Sequence, residues 1–175
     1  MRMFQLYQVW KDSTSEDLAN VSSNLNDSIR YWVHATTPNR AYYAPVGDLA
    51  RSSFPDIFDY HRRLVLEARR LSGSTAAQDL ASWWLKHISV PQMSRRIDGQ
   101  WDLLPAGSNT AAAPSESLSY LATGVGRIFA RTGWDTSALW MTFVAGKYNE
   151  SHAHQDQGAF DLANSEWLAV SNNIY

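Results

Sequence analysis

The stretch Glu150-Ser-His-Ala-His-Gln-Asp-Gln-Gly-Ala-Phe160 carries two of the chain's five histidines and sets His152, His154 and Asp156 at alternate positions. Imidazole is the usual proton carrier near neutral pH. Two imidazoles and a carboxylate also make a donor set that suits zinc. A third reading is a pair of surface or hydrogen-bonded histidines. Residue types alone leave all three open. The spacing does constrain the backbone. In a helix, side chains two residues apart diverge by roughly 200°, whereas on an extended chain they fall on one side. Gly146 before the stretch and Gly158 after it favour an extended loop that enters a strand. The expected neighbour is the first long strand, Ser137–Val144.

The elements that must hold this loop come in two kinds. Up to about residue 104 the apolar pattern is helical. Phe4 and Tyr7, with Leu6 and Trp10, form one stripe. Ser15 reads as the N-cap of a helix carrying Leu18, Val21, Leu25, Ile29, Trp32 and Val33, ended by Pro38. "YYAPVGDLARSSFP" reads as a loop with turns at Pro45 and Gly47-Asp48. Pro55 suits the first turn of a helix reaching Leu71, with Ile57, Tyr60, His61, Leu64 and Ala68 as its buried stripe. Ser72-Gly73 stops it. Ser74 or Thr75 caps the next helix, which carries Leu80, Trp83, Trp84 and His87 and ends before Pro91.

From Asp98 the composition turns to Gly, Pro, Ser and small residues, and 105–118 reads as a linker. Strands follow in 119–175: "GRIFART", then "SALWMTFVAG", apolar on both faces, then "GAFDLANSEWLAV", a hairpin turning at Asn164-Ser165. Helices first and antiparallel strands second is the α+β order. The last strand has no partner after it, so the sequence reads as cut from something longer.

Composition narrows the classes. Of 175 residues, 45% are hydrophobic, enough for a buried core. The eight Trp and eight Tyr read first as core, and second as platforms for sugar rings. A net charge of −2 supplies no global field for nucleic acid. The pairs Arg62-Arg63, Arg69-Arg70 and Arg95-Arg96 read as solvated helix faces. No cysteine is present, which excludes disulfides and thiolate metal sites. No apolar run of about eighteen residues is present to span a membrane. "MRMFQLYQVWKD" is not a signal peptide, because Gln5, Gln8 and Lys11 interrupt its apolar residues.

"AGKYNESHAHQDQGAFDLANSEWLAV" resembles the signature of the heparinase II/III-like polysaccharide lyases. The features shared are a glycine-bearing approach, H-x-H-x-D, a G-A-F strand start and a W-L strand. "RIFARTGWDTSALWMTFVAG" and "YAPVGD" resemble further stretches of that family. The likeness is strong from Arg127 to Val170 and weaker before it. It implies part of an α/α toroid followed by the first strands of an antiparallel β-sandwich. It implies β-elimination on an acidic polysaccharide or oligosaccharide, and a periplasmic or secreted location. By position, His152 matches the family's active-site histidine and His154 its zinc-binding one, while Asp156 braces the loop. Arg131 and Trp134 match an Arg-x-x-Trp pattern. Arg131 either ion-pairs within the fold or, with Tyr148, Asn149 and Gln157, binds substrate. Trp134 reads as core packing or a sugar platform.

The elimination needs no cofactor, and zinc would be structural. Ser171 stands where the family carries a zinc aspartate, and the family's third zinc histidine would fall beyond Tyr175. The family's catalytic tyrosine lies upstream, where Tyr7 is the early candidate and its stripe with Phe4 reads as core. Two alternatives stay open. One is a carbohydrate-binding or structural remnant without catalysis. The other is a glycoside hydrolase using the loop acids Asp48 and Asp56.

Overall fold

The computed structural model describes residues 2–45, 55–88, 113–147 and 155–171. The architecture is α+β. Among the described residues the helices are α1 (Arg2–Thr14), α2 (Asn24–Ala35), α3 (Asp59–Leu71) and α4 (Thr75–His87), with a short 3-10 turn at Leu18–Asn20. The strands are β1 (Ser119–Ala122), β2 (Arg127–Arg131), β3 (Trp140–Val144), β4 (Phe160–Ala163) and β5 (Trp167–Ala169). They form one antiparallel sheet in sequential order. Contacts divide the chain into two compact units, Met1–Val33 with Ile57–Pro114, and His34–Asp56 with Ser115–Tyr175. Residues 34–56, grouped with the helices in the sequence reading, thus belong spatially with the sheet.

In the helical unit, Leu25, Ile29 and Val33 form the buried stripe of α2, while Val21 is exposed. Ser15 does not cap this helix. Its φ of 65° is left-handed and its N–H returns to the Lys11 carbonyl, so it ends α1. The acidic residues after it fold back on α1: Glu16 accepts from the Trp10 indole and Asp17 from Lys11, each at 2.8 Å. On α1 itself only Phe4 of the expected stripe is buried, and Leu6 and Trp10 are exposed.

The helix expected from Pro55 begins later, at Asp59. His61, in its first turn, accepts the Phe58 N–H on Nδ1 at 3.0 Å and so satisfies one of the helix's orphan donors. Val65, Leu66, Ala68 and Leu71 are buried, whereas Tyr60 and Leu64 are half-buried. Arg62 is not a solvated residue. It is buried, and its guanidinium donates to the Ile88 and Leu85 carbonyls at 3.0 and 3.5 Å, satisfying the C-terminal end of α4. Asn20 holds the break between α3 and α4, donating to the Leu71 carbonyl and accepting the Gly73 N–H, both at 2.8 Å. Ser74 caps α4 as its sequence implies, through its hydroxyl and the Ala77 N–H.

In the sheet unit, register puts Ala122, Arg127, Phe129, Arg131, Trp140, Thr142, Val144, Asp161 and Ala163 on one buried face. The hairpin at Asn164-Ser165 forms as read, with the Asn164 N–H donating to the Glu166 carbonyl. A second small hairpin runs from Thr36 to Tyr43, which pair antiparallel. Strand β1 has no counterpart in the sequence reading. Its four residues follow a polar, small-residue run and show no alternation strong enough to announce a strand.

Candidate functional site

Two glycines set the path toward the histidine stretch. Gly126, at φ 61°, closes the β1–β2 turn directly against Gly146 at the exit of β3, and a Cβ on either would collide with backbone. The Ala145 N–H donates to the Gly126 carbonyl at 2.7 Å. On the far side, Asp156 to Ala159 make a tight turn, with Gly158 at φ 89°. The Gly158 N–H donates to the Val144 carbonyl and the Val144 N–H to Ala159, at 2.8 and 2.9 Å. The chain therefore leaves and re-enters the sheet at the same end of β3. His152, His154, Tyr148 and Asn149 lie outside the described residues, as do Asp48 and Pro91. Gln157 is exposed on the re-entry turn and Asp156 is half-buried there.

Arg131 is buried. Its Nη2 donates to the carbonyls of His34 and Thr36 at 3.2 and 2.8 Å, and the Trp140 indole donates to His34 at 2.8 Å. The Ala44 N–H donates to the Ala35 carbonyl at 2.7 Å. These donors satisfy the last carbonyls of α2, which its own ladder leaves without partners. The acceptors of Arg131 are backbone carbonyls, where the sequence reading expected an acid for an ion pair within the fold. The guanidinium also lies 4.3 Å from the centre of the Trp134 ring, a cation–π contact. Trp134 is accordingly core, and its ring meets the edge of His34, which stacks in turn on Tyr120. Burial, with the nearby charge of Arg40, pushes the Arg131 pKa down to about 10, still fully charged at neutral pH.

Asp161 is fully buried, directly across from Thr142. Its Oδ1 accepts both the N–H and the hydroxyl of Ser171, at 2.6 and 2.7 Å. Oδ2, the Thr142 hydroxyl and one Arg127 nitrogen are buried without a hydrogen-bond partner among the described residues. Burial pushes the Asp161 carboxyl up, against the opposing pull of Ser171 and Arg127. Ser171, at the place of the family's zinc aspartate, is thus already committed to Asp161. Among the described residues no group of three or more His, Cys, Asp or Glu side chains is placed to hold a metal ion.

Arg40, His34 and Asp161 did not stand out in the sequence. His34 and Asp161 gave no local signal. Arg40 gave a faint one, the Pro38-Asn39 pair before it, which marks a turn.

No family model matches the chain, and no curated protein matches it. Among solved structures it is similar to the crystal structure of a heparan sulfate lyase HepC mutant from Pedobacter heparinus, at 18% identity and a TM-score of 0.48. The match covers 77% of this chain and 17% of that one. No helix among the described residues is long and apolar enough to cross a membrane.

Proposed function

We propose that this chain is part of a polysaccharide lyase that cleaves a uronate-containing acidic polysaccharide by β-elimination, outside the cytoplasm. A base removes the proton at C5 of the uronate, next to its carboxylate. The electron pair forms the C4–C5 double bond, the bond from C4 to the glycosidic oxygen breaks, and that oxygen takes a proton. The C5 proton is weakly acidic, so hydrogen-bond donors must stabilise the enolate that develops on the carboxylate. His152 serves in proton transfer or donates to that carboxylate. Tyr148, Asn149 and Gln157 flank it as substrate contacts.

The observation that carries this reading is H-x-H-x-D between two described anchors at the same end of β3, Ala145 on Gly126 and Gly158 on Val144. On an extended chain between such anchors, alternate side chains fall on one side. The test is an assay of the complete reading frame on heparan, chondroitin, hyaluronan and alginate, reading the ultraviolet absorbance of the unsaturated product. His152→Ala should lower the rate by about 10²–10⁴-fold. His154→Ala should lower stability as well as rate. Elimination at the normal rate with His152→Ala would remove the reading, and binding without elimination would favour the non-catalytic alternative.

A further inference from the structure

We infer that Arg127 is a positioning residue. Its buried guanidinium is the counter-charge that lets the carboxylates of Asp156 and Asp161 sit together, and it so fixes the turn by which the chain returns from the histidine stretch. Placement is the first observation. On the buried face of the sheet Arg127 lies opposite Val144, and Asp161 lies opposite Thr142. The two residues therefore flank β3 from either side, near the same end. Val144 is also where the turn is fastened. Its N–H donates to the Ala159 carbonyl at 2.9 Å, and its own carbonyl accepts the Gly158 N–H at 2.8 Å. The Ala159 N–H donates in turn to the Asp156 carbonyl at 2.8 Å. On the other side of Arg127, the contact of Gly126 with Gly146 fixes the backbone.

Charge is the second observation. Arg127 is 3% exposed and Asp161 0%. Ser171 occupies Oδ1 of Asp161, whereas Oδ2 and the Arg127 Nη1 have no hydrogen-bond partner among the described residues. The guanidinium thus acts on Asp161 as a charge, favouring the carboxylate. Asp156, half-buried on the turn, acts on the same carboxyl in the opposite sense. Two carboxylates are close enough to repel, and one guanidinium opposes that repulsion. Burying a charge is costly, and removing one member of a buried set leaves the others uncompensated. An apolar side chain at position 127 would fill the same face without that desolvation. Arginine supplies the positive charge there. Asp156 is the carboxylate of H-x-H-x-D, two residues after His154. A shift of its turn moves the point where that stretch rejoins the sheet, and a misplacement of about 1 Å can cost about 10²-fold in rate.

The effect on catalysis rests on the lyase reading; the hold on the two carboxylates does not. Melting temperatures of the 175-residue chain test the hold. Arg127→Met removes the charge and should lower the melting temperature by roughly 5 °C. Adding Asp156→Asn to that variant should raise it again, because one carboxylate fewer then needs a counter-charge. In the natural chain Asp156→Asn should give no such rise. Kinetics of the complete reading frame test the positioning. Arg127→Met should lower kcat for elimination by about tenfold or more, with KM changed by less than about twofold. Arg127→Lys keeps the charge and should recover most of kcat. If Arg127→Met does not fold, Arg127→Lys and Arg127→Gln make the same comparison, with the charged variant the faster. Melting shifts that simply add overturn the inference. So does an unchanged kcat in Arg127→Met, or a loss that Arg127→Lys does not restore, either of which would leave the arginine a packing residue. Additive shifts alongside elimination that depends on His152 sink this inference alone. Absence of elimination in the natural enzyme sinks the lyase reading, and the melting temperatures then decide on Arg127 by themselves.

Discussion

At the scale of single residues, His61 shows what burial does to a titrating group. It lies among Trp32, Phe58 and Tyr60, and burial lowers its pKa from 6.5 to about 4. Nδ1 accepts the Phe58 N–H, so the proton of the neutral ring is on Nε2. Protonation would remove that acceptor and place a charge in an apolar shell. The sign follows from linkage. Above pH 6.5 the ring is neutral folded and unfolded, and its contribution is fully present. As pH falls from 6.5 toward 4 only the unfolded chain takes the proton, and stability drops by on the order of 3 kcal/mol, about 1.4 for each unit between the two values. Below pH 4 the loss levels off. His61→Gln keeps an acceptor at the same helix position, as in a capping box, but cannot titrate. Its melting temperature should fall less than that of the natural chain between pH 6.5 and 4. Parallel curves would show that His61 does not contribute in this way. The sequence had placed His61 in the buried stripe of its helix, but the accepted Phe58 N–H depends on where the helix begins, which Pro55 had put too early. Arg131 was legible only as a pair of alternatives, because its acceptors lie 95 and 97 residues away.

At the scale of elements, β3 was the most legible strand, and it is also the one with a built-in cost. Trp140, Thr142 and Val144 alternate into the buried face as the pattern implied. Thr142 brings a hydroxyl there that has no partner among the described residues. A buried hydroxyl left without a hydrogen bond costs about 1–3 kcal/mol, and valine has nearly its shape and a higher strand preference. Thr142→Val should therefore raise stability by about 1 kcal/mol in denaturant titrations. A clear loss would mean that the hydroxyl has a partner after all, such as a buried water held with Asp161 and Arg127. Helix ends carrying their own chemistry were readable from sequence, as Ser72, Gly73 and Ser74 show. Ser15-Glu16-Asp17 misled, because the composition of a helix start here wraps back on Trp10 and Lys11 of the preceding helix. No local pattern reports such a return, nor the pairing of 36–43 with the sheet's polar donors.

At the scale of the whole molecule, the sheet has one buried face and, among the described residues, an opposite face with an exposed apolar row. Register aligns Leu121, Ile128, Phe143 and Phe160 in one row across four strands. Leu121 and Phe160 are 53% and 54% exposed, and Leu168 on the next strand is 55% exposed. The two-sided apolarity of β3, visible in the sequence, has this row as its outward half. On α1, Met3, Leu6, Val9 and Trp10 make a second exposed stripe at helical spacing. Contiguous apolar surface of this kind drives association when nothing covers it, and strands at a sheet edge add unpaired backbone groups. A net charge of −2 opposes association only weakly. The purified 175-residue chain should accordingly show a sedimentation coefficient that rises with concentration. Ile128→Lys combined with Phe160→Lys should suppress that rise if the sheet face is responsible, whereas Leu6→Lys with Val9→Lys should do so if the helix stripe is. Either pair lies outside the core, so each substitution should shift stability by no more than about 0.5 kcal/mol. A monomer that stays monomeric at every concentration would show that these faces are too small or too separate to associate. A large stability loss in the Ile128 and Phe160 pair would instead mean that the outward row is packed in the folded chain.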